Sequence, residues 1–309
     1  WRRPIVIVES RKKLAEGVSR DLGTLGVFLP YMPWHTLFFN QSGLEAVVLT
    51  SGNLAEAPIL ISNAEALEQL SPIAGGIVTY NRDIFNRTDD SVVRVMGGAE
   101  RIFRRSRGYV PAPVKLTFDA TGIFAAGAEL SACFCIGKGN RAYLSQHIGD
   151  LKNEETLAFY EETVERFRRM FRSEPVLAVT DLHPDYLSTR FAAALQLETL
   201  AVQHHHAHVA ACMAEHGLEE PVIGLAFDGT GYGTDGHTWG SEFLVCEGDT
   251  YSRAAHLQYM AMPGGDLAAE APWRMGISLL HQAYGKEWQE LDLPWQQQVD
   301  RSKAEAITR

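Results

Sequence analysis

Four of the eleven histidines fall within five consecutive positions, in the stretch Gln203-His204-His205-His206-Ala207-His208-Val209-Ala210-Ala211-Cys212. The alanine-rich continuation predicts a helix. On a helix, residues four apart share a face, so His204 and His208 point the same way while His205 and His206 point elsewhere. Two imidazoles at that spacing can grip one divalent cation. A polar helix face is the alternative, but three consecutive histidines are hard to explain by packing. The order is not that of H-E-x-x-H, and the general-base glutamate of that motif is absent, which disfavours a metallopeptidase. Two histidines are an incomplete metal site, so a further donor must come from a neighbouring element.

The next segment offers one. Val222-Ile223-Gly224-Leu225-Ala226-Phe227 has the pattern of a buried strand and runs directly into Asp228-Gly229-Thr230-Gly231-Tyr232-Gly233. Closely spaced glycines permit a tight turn whose N–H groups can face phosphate oxygens. A carboxylate beside them can hold a metal that also touches phosphate. A plain hairpin turn is the alternative. A third glycine site follows at Met262-Pro263-Gly264-Gly265-Asp266, where Gly-Gly allows close approach of a nucleotide and the aspartate suits a ribose hydroxyl. Taken alone it reads as a turn.

The rest of the chain has an α/β pattern. Ile5–Val8, Ala46–Leu49, Ile77–Thr79 and Val92–Val95 read as strands, and Ser62 followed by Glu65 has the capping-box spacing that opens a helix. Val110-Pro111-Ala112-Pro113 continues neither a helix nor a central strand, so it marks a connector. Beyond it, Ile123–Ala126, Cys133–Ile136 and Val176–Val179 read as strands. Leu157, Tyr160, Val164, Phe167 and Phe171 form one helix face, with Arg166, Arg168, Arg169 and Arg172 turned to solvent, and a further helix starts near Ser188. At 309 residues there is room for two domains, and no run approaches the ~20 apolar residues of a membrane helix. A net charge of −10 argues against a broad nucleic-acid footprint. Cys133, Cys135, Cys212 and Cys246 form no C-x-x-C pair, so they read as buried, reduced thiols rather than a zinc knuckle or disulfide framework. Trp1-Arg2-Arg3-Pro4 runs into a strand without a signal peptide, and the end at Arg309 falls in a helical-looking stretch. Both ends therefore read as cuts within a longer protein.

These motifs carry a resemblance. His204–His208, the turn from Asp228 to Gly233, Gly236, Trp239-Gly240, Glu242 and Pro263–Asp266 resemble the Kae1-like domain of the HypF-type hydrogenase maturation carbamoyltransferases. Ser145-Gln146-His147-Ile148-Gly149-Asp150-Leu151 and Asp181-Leu182-His183-Pro184-Asp185-Tyr186 are similar to segments of that family. In the first half, Leu49-Thr50-Ser51-Gly52-Asn53-Leu54, Asn81-Arg82-Asp83-Ile84, Asp89–Arg94 and Arg104–Pro111 resemble YrdC-like domains. The resemblance implies an α/β fold: a partial YrdC-like domain over residues 1–112, a linker over 113–122, and a partial Kae1-like domain of the actin-like ASKHA class over 123–309. The beginning of the first and the end of the second would be missing.

The implied activity is a carbamoyltransferase of [NiFe]-hydrogenase maturation. Carbamate released from carbamoyl phosphate is joined to ATP as carbamoyl adenylate, and the carbamoyl group passes to the C-terminal cysteine of a partner, HypE, for cyanide ligand synthesis. The implied cofactors are ATP with Mg and a divalent metal, iron or zinc; the implied setting is cytoplasmic, with no membrane or nucleic-acid partner. By the same resemblance His204, His208 and Asp228 would hold the metal, with a fourth, acidic ligand beyond Arg309. Gly229, Thr230, Gly231 and Gly233 would take phosphates, and Gly264, Gly265 and Asp266 the ribose. Thr50, Ser51 and Asn53 would bind nucleotide or carbamoyl groups, and Ser91 and Arg105 phosphate. No Ser-His-Asp or Cys-His signature marks a covalent nucleophile, and none is required. Three departures stand out: Ala55 replaces a usual serine, Ser131-Ala132-Cys133 replaces a usual Lys-Asn-Thr, and Ser241 replaces a common glycine. The rival readings are tRNA threonylcarbamoyladenosine biosynthesis, which uses the same domain pair, and a non-catalytic scaffold that binds nucleotide and metal.

Overall fold

The computed structural model describes the whole chain except residues 1, 12, 13, 16, 20, 21, 56, 83, 296–298, 308 and 309. Trp1, Asp83 and Arg309, which the sequence reading used, lie outside the described residues. The chain forms two compact units, residues 1–254 and 255–309.

The first unit opens with a four-stranded sheet in the order Thr24–Val27, Ile5–Glu9, Val92–Met96, Ala99–Arg104. Ile5–Glu9 runs parallel to Val92–Met96 and antiparallel to Thr24–Val27. The capping box forms as its spacing predicts: Ser62 Oγ accepts the Glu65 N–H at 3.5 Å, opening the helix Asn63–Leu70. Two expected strands do not form. Ala46–Leu49 and Ile77–Thr79 are irregular, with Val48 and Val78 largely exposed. Their β-branched composition suits a strand, but that preference is realised only where a neighbour supplies the ladder, and no described strand pairs with either.

A six-stranded sheet follows, in the order Glu198–Val202, Leu177–Asp181, Ile123–Ala125, Cys135–Gly137, Arg141–Leu144, Val114–Lys115. The first three strands are mutually parallel and the rest antiparallel. The predicted connector thus contributes an edge strand, Val114–Lys115, consistent with prolines that exclude it from a sheet centre. Helix Glu154–Phe171 covers this sheet. Asn153 caps it by accepting the Thr156 N–H at 2.8 Å. Its buried stripe is Thr156, Phe159, Tyr160, Thr163, Val164 and Phe167, a 3-4 repeat that includes Phe159 where the sequence reading chose Leu157. These side chains meet Phe124, Phe134, Ile136 and Leu151 in the main core. The Tyr160 hydroxyl donates to Ala126 O at 2.7 Å, which satisfies both groups inside it. Arg166 is not simply solvated. It pairs with Glu162, donates to Asn86 Oδ1 at 2.8 Å and lies over the Phe85 ring, tying residues 85–87 to this helix.

Beyond this sheet, helix His204–His216 packs on a three-stranded sheet ordered Val222–Ala226, Glu242–Glu247, Thr250–His256. Val209 and Met213 meet Ala226, Leu244 and Cys246 there. Gly224 is needed for the approach, since a Cβ on it would lie 2.3 Å from Val209 Cγ2. A two-stranded ribbon, Gly231–Tyr232 with Thr238–Trp239, projects from this sheet. All four cysteines are free, but only Cys246 is buried; Cys212 is exposed on the histidine helix, contrary to the expectation of four buried thiols. The second unit is helical around Ile277, Trp288 and Ala304. Among the described residues no helix is long and apolar enough to cross a membrane.

Candidate metal centre and nucleotide cavity

The histidine helix begins where the six-stranded sheet ends. Val202 closes the edge strand, Gln203 caps the helix through Oε1, which accepts the His206 N–H at 3.0 Å, and His204 is its first residue. The strand Val222–Ala226 ends two residues before Asp228. His204, His208 and Asp228, all chosen from the sequence, are brought together, with one donor atom of each lying within 4.8 Å of the others. His204 Nε2 is 2.7 Å from Asp228 Oδ2, and His208 Nε2 is 3.2 Å from His204 Nε2 and 3.5 Å from Asp228 Oδ2. Two imidazole nitrogens converging on one carboxylate oxygen form a donor set suited to zinc or iron. His205 and His206 turn inward, and burial pushes both below their ordinary value.

One residue beside this centre was quoted from the sequence only as part of the segment Asp181–Tyr186 and given no role. Asp181, at the end of the strand Leu177–Asp181, places Oδ2 2.6 Å from His204 Nδ1. The hydrogen bonds to Asp181 and then Asp228 raise the His204 imidazole from 6.5 to about 9, against the opposing effect of burial. Hydrogen bonds from His204 and then His208 hold Asp228 far below the ordinary carboxylate range, with its Oδ1 also accepting the Gly229 N–H at 2.8 Å. The sequence signal for Asp181 was available: a carboxylate at the end of a strand whose parallel neighbour leads into the histidine helix.

The glycines of the turn differ in kind. Gly231 and Gly233 are buried, and a Cβ on either would collide, with His205 Cε1 at 2.5 Å and with Trp239 Cδ1 and Nε1 at 2.3 Å respectively. Gly229 and Thr230 are exposed, and the space around Gly229 is open. The turn is braced by Glu242, fully buried, which receives Arg253 Nε at 2.6 Å and Nη2 at 2.9 Å and the Gly240 N–H at 3.0 Å. Gly264, Gly265 and Asp266 lie in the other compact unit, as an exposed turn before the short helix Leu267–Glu270.

A cavity of about 360 Å³ lies in the first unit. Ser51, Asn53, Arg87, Asp89 and Arg104 line it from the earlier half, and Ser131, His147, Asp150, Lys152 and Asn153 from the later half. Asn53 donates from Nδ2 to Leu54 O and Ala57 O, both at 2.9 Å, while its buried Oδ1 has no partner among the described residues. Burial pushes the His147 imidazole below its ordinary value. The remaining chosen residues are placed otherwise. Thr50 is exposed and does not line the cavity. Ser91 is fully buried, and its hydroxyl is spent on Arg107 O at 2.9 Å and the Ser106 N–H at 2.8 Å. Arg105 turns its guanidinium to the carbonyl oxygens of Tyr109 and Ala112, so of the two neighbours it is Arg104 that lines the cavity. Ser131 adopts a left-handed φ of +49° and donates its N–H to Asp150 Oδ1 at 2.8 Å.

Fold and site together define a YrdC-like α/β segment followed by a Kae1-like segment with a two-histidine, one-aspartate centre. Residues 1–106 match the YrdC family model described as "Telomere recombination". Residues 119–215 match "HypF Kae1-like domain", and 224–309 match "Carbamoyltransferase, Kae1-like Domain, second subdomain". Among curated relatives, carbamoyltransferase HypF of Rhizobium leguminosarum bv. viciae is 42% identical over 288 residues, covering 91% of this chain and 38% of that protein. The probable carbamoyltransferase HypF of Methanocaldococcus jannaschii is 37% identical over 295 residues, covering 93% and 38%. A crystal structure of full-length HypF in a phosphate- and nucleotide-bound form matches with a TM-score of 0.90 at 44% identity, covering 99% of this chain and 48% of that one. The T. kodakarensis HypF structure matches with a TM-score of 0.89 at 40% identity, covering 94% and 39%. The chain belongs to the HypF family, and it spans under half the length of these relatives.

Proposed function

We propose that this chain is the part of a HypF-type carbamoyltransferase that makes an activated carbamoyl group and hands it on. The reading assigns residues 1–112 to a YrdC-like domain, 113–122 to a linker and 123–309 to a Kae1-like domain. In the first reaction a carbamate oxygen attacks the α-phosphorus of Mg-ATP, and the bond to the β-phosphate oxygen breaks, giving carbamoyl adenylate and pyrophosphate. In the second, the C-terminal cysteine thiol of HypE attacks the carbamoyl carbon, AMP leaves, and the thiol proton is released. Carbamoyl phosphate is the source of the carbamate.

The observation that carries the reading is the cavity whose walls come from both halves. Its volume is within the range of small-molecule sites. Arg104 and Lys152 bring positive charge for phosphate oxygens, Asn53 brings an acceptor without a partner among the described residues, and His147, which burial biases away from the charged form, brings a ring nitrogen. A walled site keeps water from a labile mixed anhydride. Arg87 is held in place by Glu162 at 2.8 Å and by Ile59 O at 3.0 Å, so the wall is pre-organised. At the other centre His204, His208 and Asp228 would hold a zinc or iron ion, which supplies positive charge to neutralise phosphate oxygens. Gly229 and Thr230, exposed beside it, have the room to meet phosphate. ATP, a thiol acceptor and four unpaired cysteines fit a cytoplasmic setting.

The test uses the complete gene product. AMP and pyrophosphate release from ATP is measured with carbamoyl phosphate and, separately, with threonine plus bicarbonate. Release only with carbamoyl phosphate is expected. Release only with threonine and bicarbonate assigns the protein to tRNA modification instead. No release with either, from folded and metal-loaded protein, makes it a scaffold.

A further inference from the structure

We infer that Asp181 is a positioning residue for the metal centre: it holds the proton of His204 on Nδ1 and so leaves Nε2 as the ligand atom. The inference rests on the metal reading of His204, His208 and Asp228. It adds a residue from a different strand that cannot itself reach the cluster.

Backbone register delivers the pair. The parallel strands Leu177–Asp181 and Glu198–Val202 are aligned so that Asp181 faces Val202, and Leu182 N donates to Val202 O at 3.1 Å. His204 follows two residues later, so its ring falls beside the carboxylate. The Asp181 side chain is 6% exposed and the His204 side chain 14%. Each Asp181 oxygen has a task. Oδ1 accepts the His183 N–H at 2.9 Å, and Oδ2 faces His204 Nδ1 at 2.6 Å. The first bond locks the carboxylate's rotation, and the second fixes the imidazole ring and its tautomer. A histidine ligand needs this, because a ring protonated on the wrong nitrogen offers the cation an N–H instead of a lone pair. His208 has no comparable support. Its side chain is 57% exposed, and its Nδ1 has no partner among the described residues.

The geometry makes Asp181→Asn a sharp test although it changes no volume. An amide has one oxygen. If that oxygen keeps the His183 N–H, the NH2 group faces His204 Nδ1, makes it an acceptor and moves the ring proton to Nε2. The experiment uses cobalt(II) as probe metal in the full-length protein. A chelator competition gives affinity, and proton NMR of the paramagnetic protein gives the ring N–H signals. In the wild type one strongly shifted N–H signal should persist in water, from a Nδ1–H shielded by Asp181. In Asp181→Asn that signal should vanish and affinity should drop by about 10–100-fold, with the melting temperature of the chelator-treated protein little changed. Three results overturn the inference: wild-type affinity in the variant, survival of the shielded signal in it, or a wild-type spectrum with His204 bound through Nδ1. The last needs no variant, so misfolding of Asp181→Asn leaves it decisive. Failure of the wild type itself to bind cobalt sinks the metal reading as well, and so is told apart from failure of the positioning role alone.

Discussion

Replacing Gly231 by alanine should damage the metal centre without touching a ligand. A Cβ at position 231 would sit 2.5 Å from His205 Cε1, 2.8 Å from His205 Nδ1 and 3.0 Å from His204 Cβ. The His205 ring cannot move aside, since it is fully buried and its Nδ1 lies 3.1 Å from Gln203 Nε2. Ordinary carbon contacts need roughly 3.5 Å, so the ribbon must retreat from the helix by about 1 Å. Asp228 rides on the same turn, three residues earlier, and its Oδ2 is 2.7 Å from His204 Nε2. The retreat therefore opens the three-donor cluster. Overpacking of this kind costs about 1–3 kcal/mol, and a loosened cluster should lose about tenfold or more in metal affinity. The control is Gly229→Ala: a Cβ there meets nothing within 4 Å, so stability should stay within about 0.5 kcal/mol and metal affinity should hold. Thermal melting and chelator competition on full-length protein read both effects. A Gly231→Ala protein with wild-type melting and wild-type affinity would refute the packing argument.

The remaining predictions concern the supports of the site. Arg253→Met strands the fully buried Glu242, which receives two guanidinium bonds at 2.6 and 2.9 Å, and should cost about 3–5 kcal/mol; the double variant with Glu242→Leu should recover much of that loss in a melting experiment. In chelator-treated protein the His204 contribution should depend on pH. Its folded value is raised from 6.5 to about 9, so the stabilisation is fully present below pH 6.5 and is lost as pH rises through 9. The size is at most about 3 kcal/mol, and equal melting temperatures at pH 6.5 and 9.5 would contradict it. Finally, Arg104→Gln and Lys152→Gln, which strip charge from the cavity, should raise the KM for ATP in the AMP-release assay about tenfold each, with melting unchanged for Lys152→Gln and modestly lowered for Arg104→Gln, whose Nε donates to Asp90 O at 2.9 Å; an unaltered KM in both would remove the cavity from the nucleotide path.

What was legible in the sequence follows from which forces are local. The grouping of the three donors could be read because His204 and His208 are set four apart by helix geometry alone, and because Asp228 follows two residues after a strand with an unmistakable apolar run. The capping box at Ser62 and the 3-4 stripe of Glu154–Phe171 are local in the same sense. Where a residue's fate depends on a distant neighbour, reading failed or was silent. Ala46–Leu49 and Ile77–Thr79 have strand composition, yet no described strand lies alongside them. Arg105 and Arg104 are adjacent and chemically identical, and only the folded course of residues 109–112 decides that Arg105 is captured by carbonyl oxygens while Arg104 reaches the cavity. Ser91 looks like a phosphate contact in a motif and is instead a buried brace between residues 106 and 107. Asp181 shows the limit most clearly. It lies 23 residues before His204; the sequence marks it only as a carboxylate at a strand end, and the contact itself is created by the parallel register of two strands. Glycines obey the same division. The sequence treats Gly229, Gly231 and Gly233 as one phosphate-cradling set, but the fold leaves only Gly229 with open space and spends the other two on close approach to His205 and Trp239. On the proposed function, Gly229 and Thr230 are the residues of this turn with room to meet a phosphate, while Gly231 and Gly233 support the three-donor cluster by letting the ribbon pack.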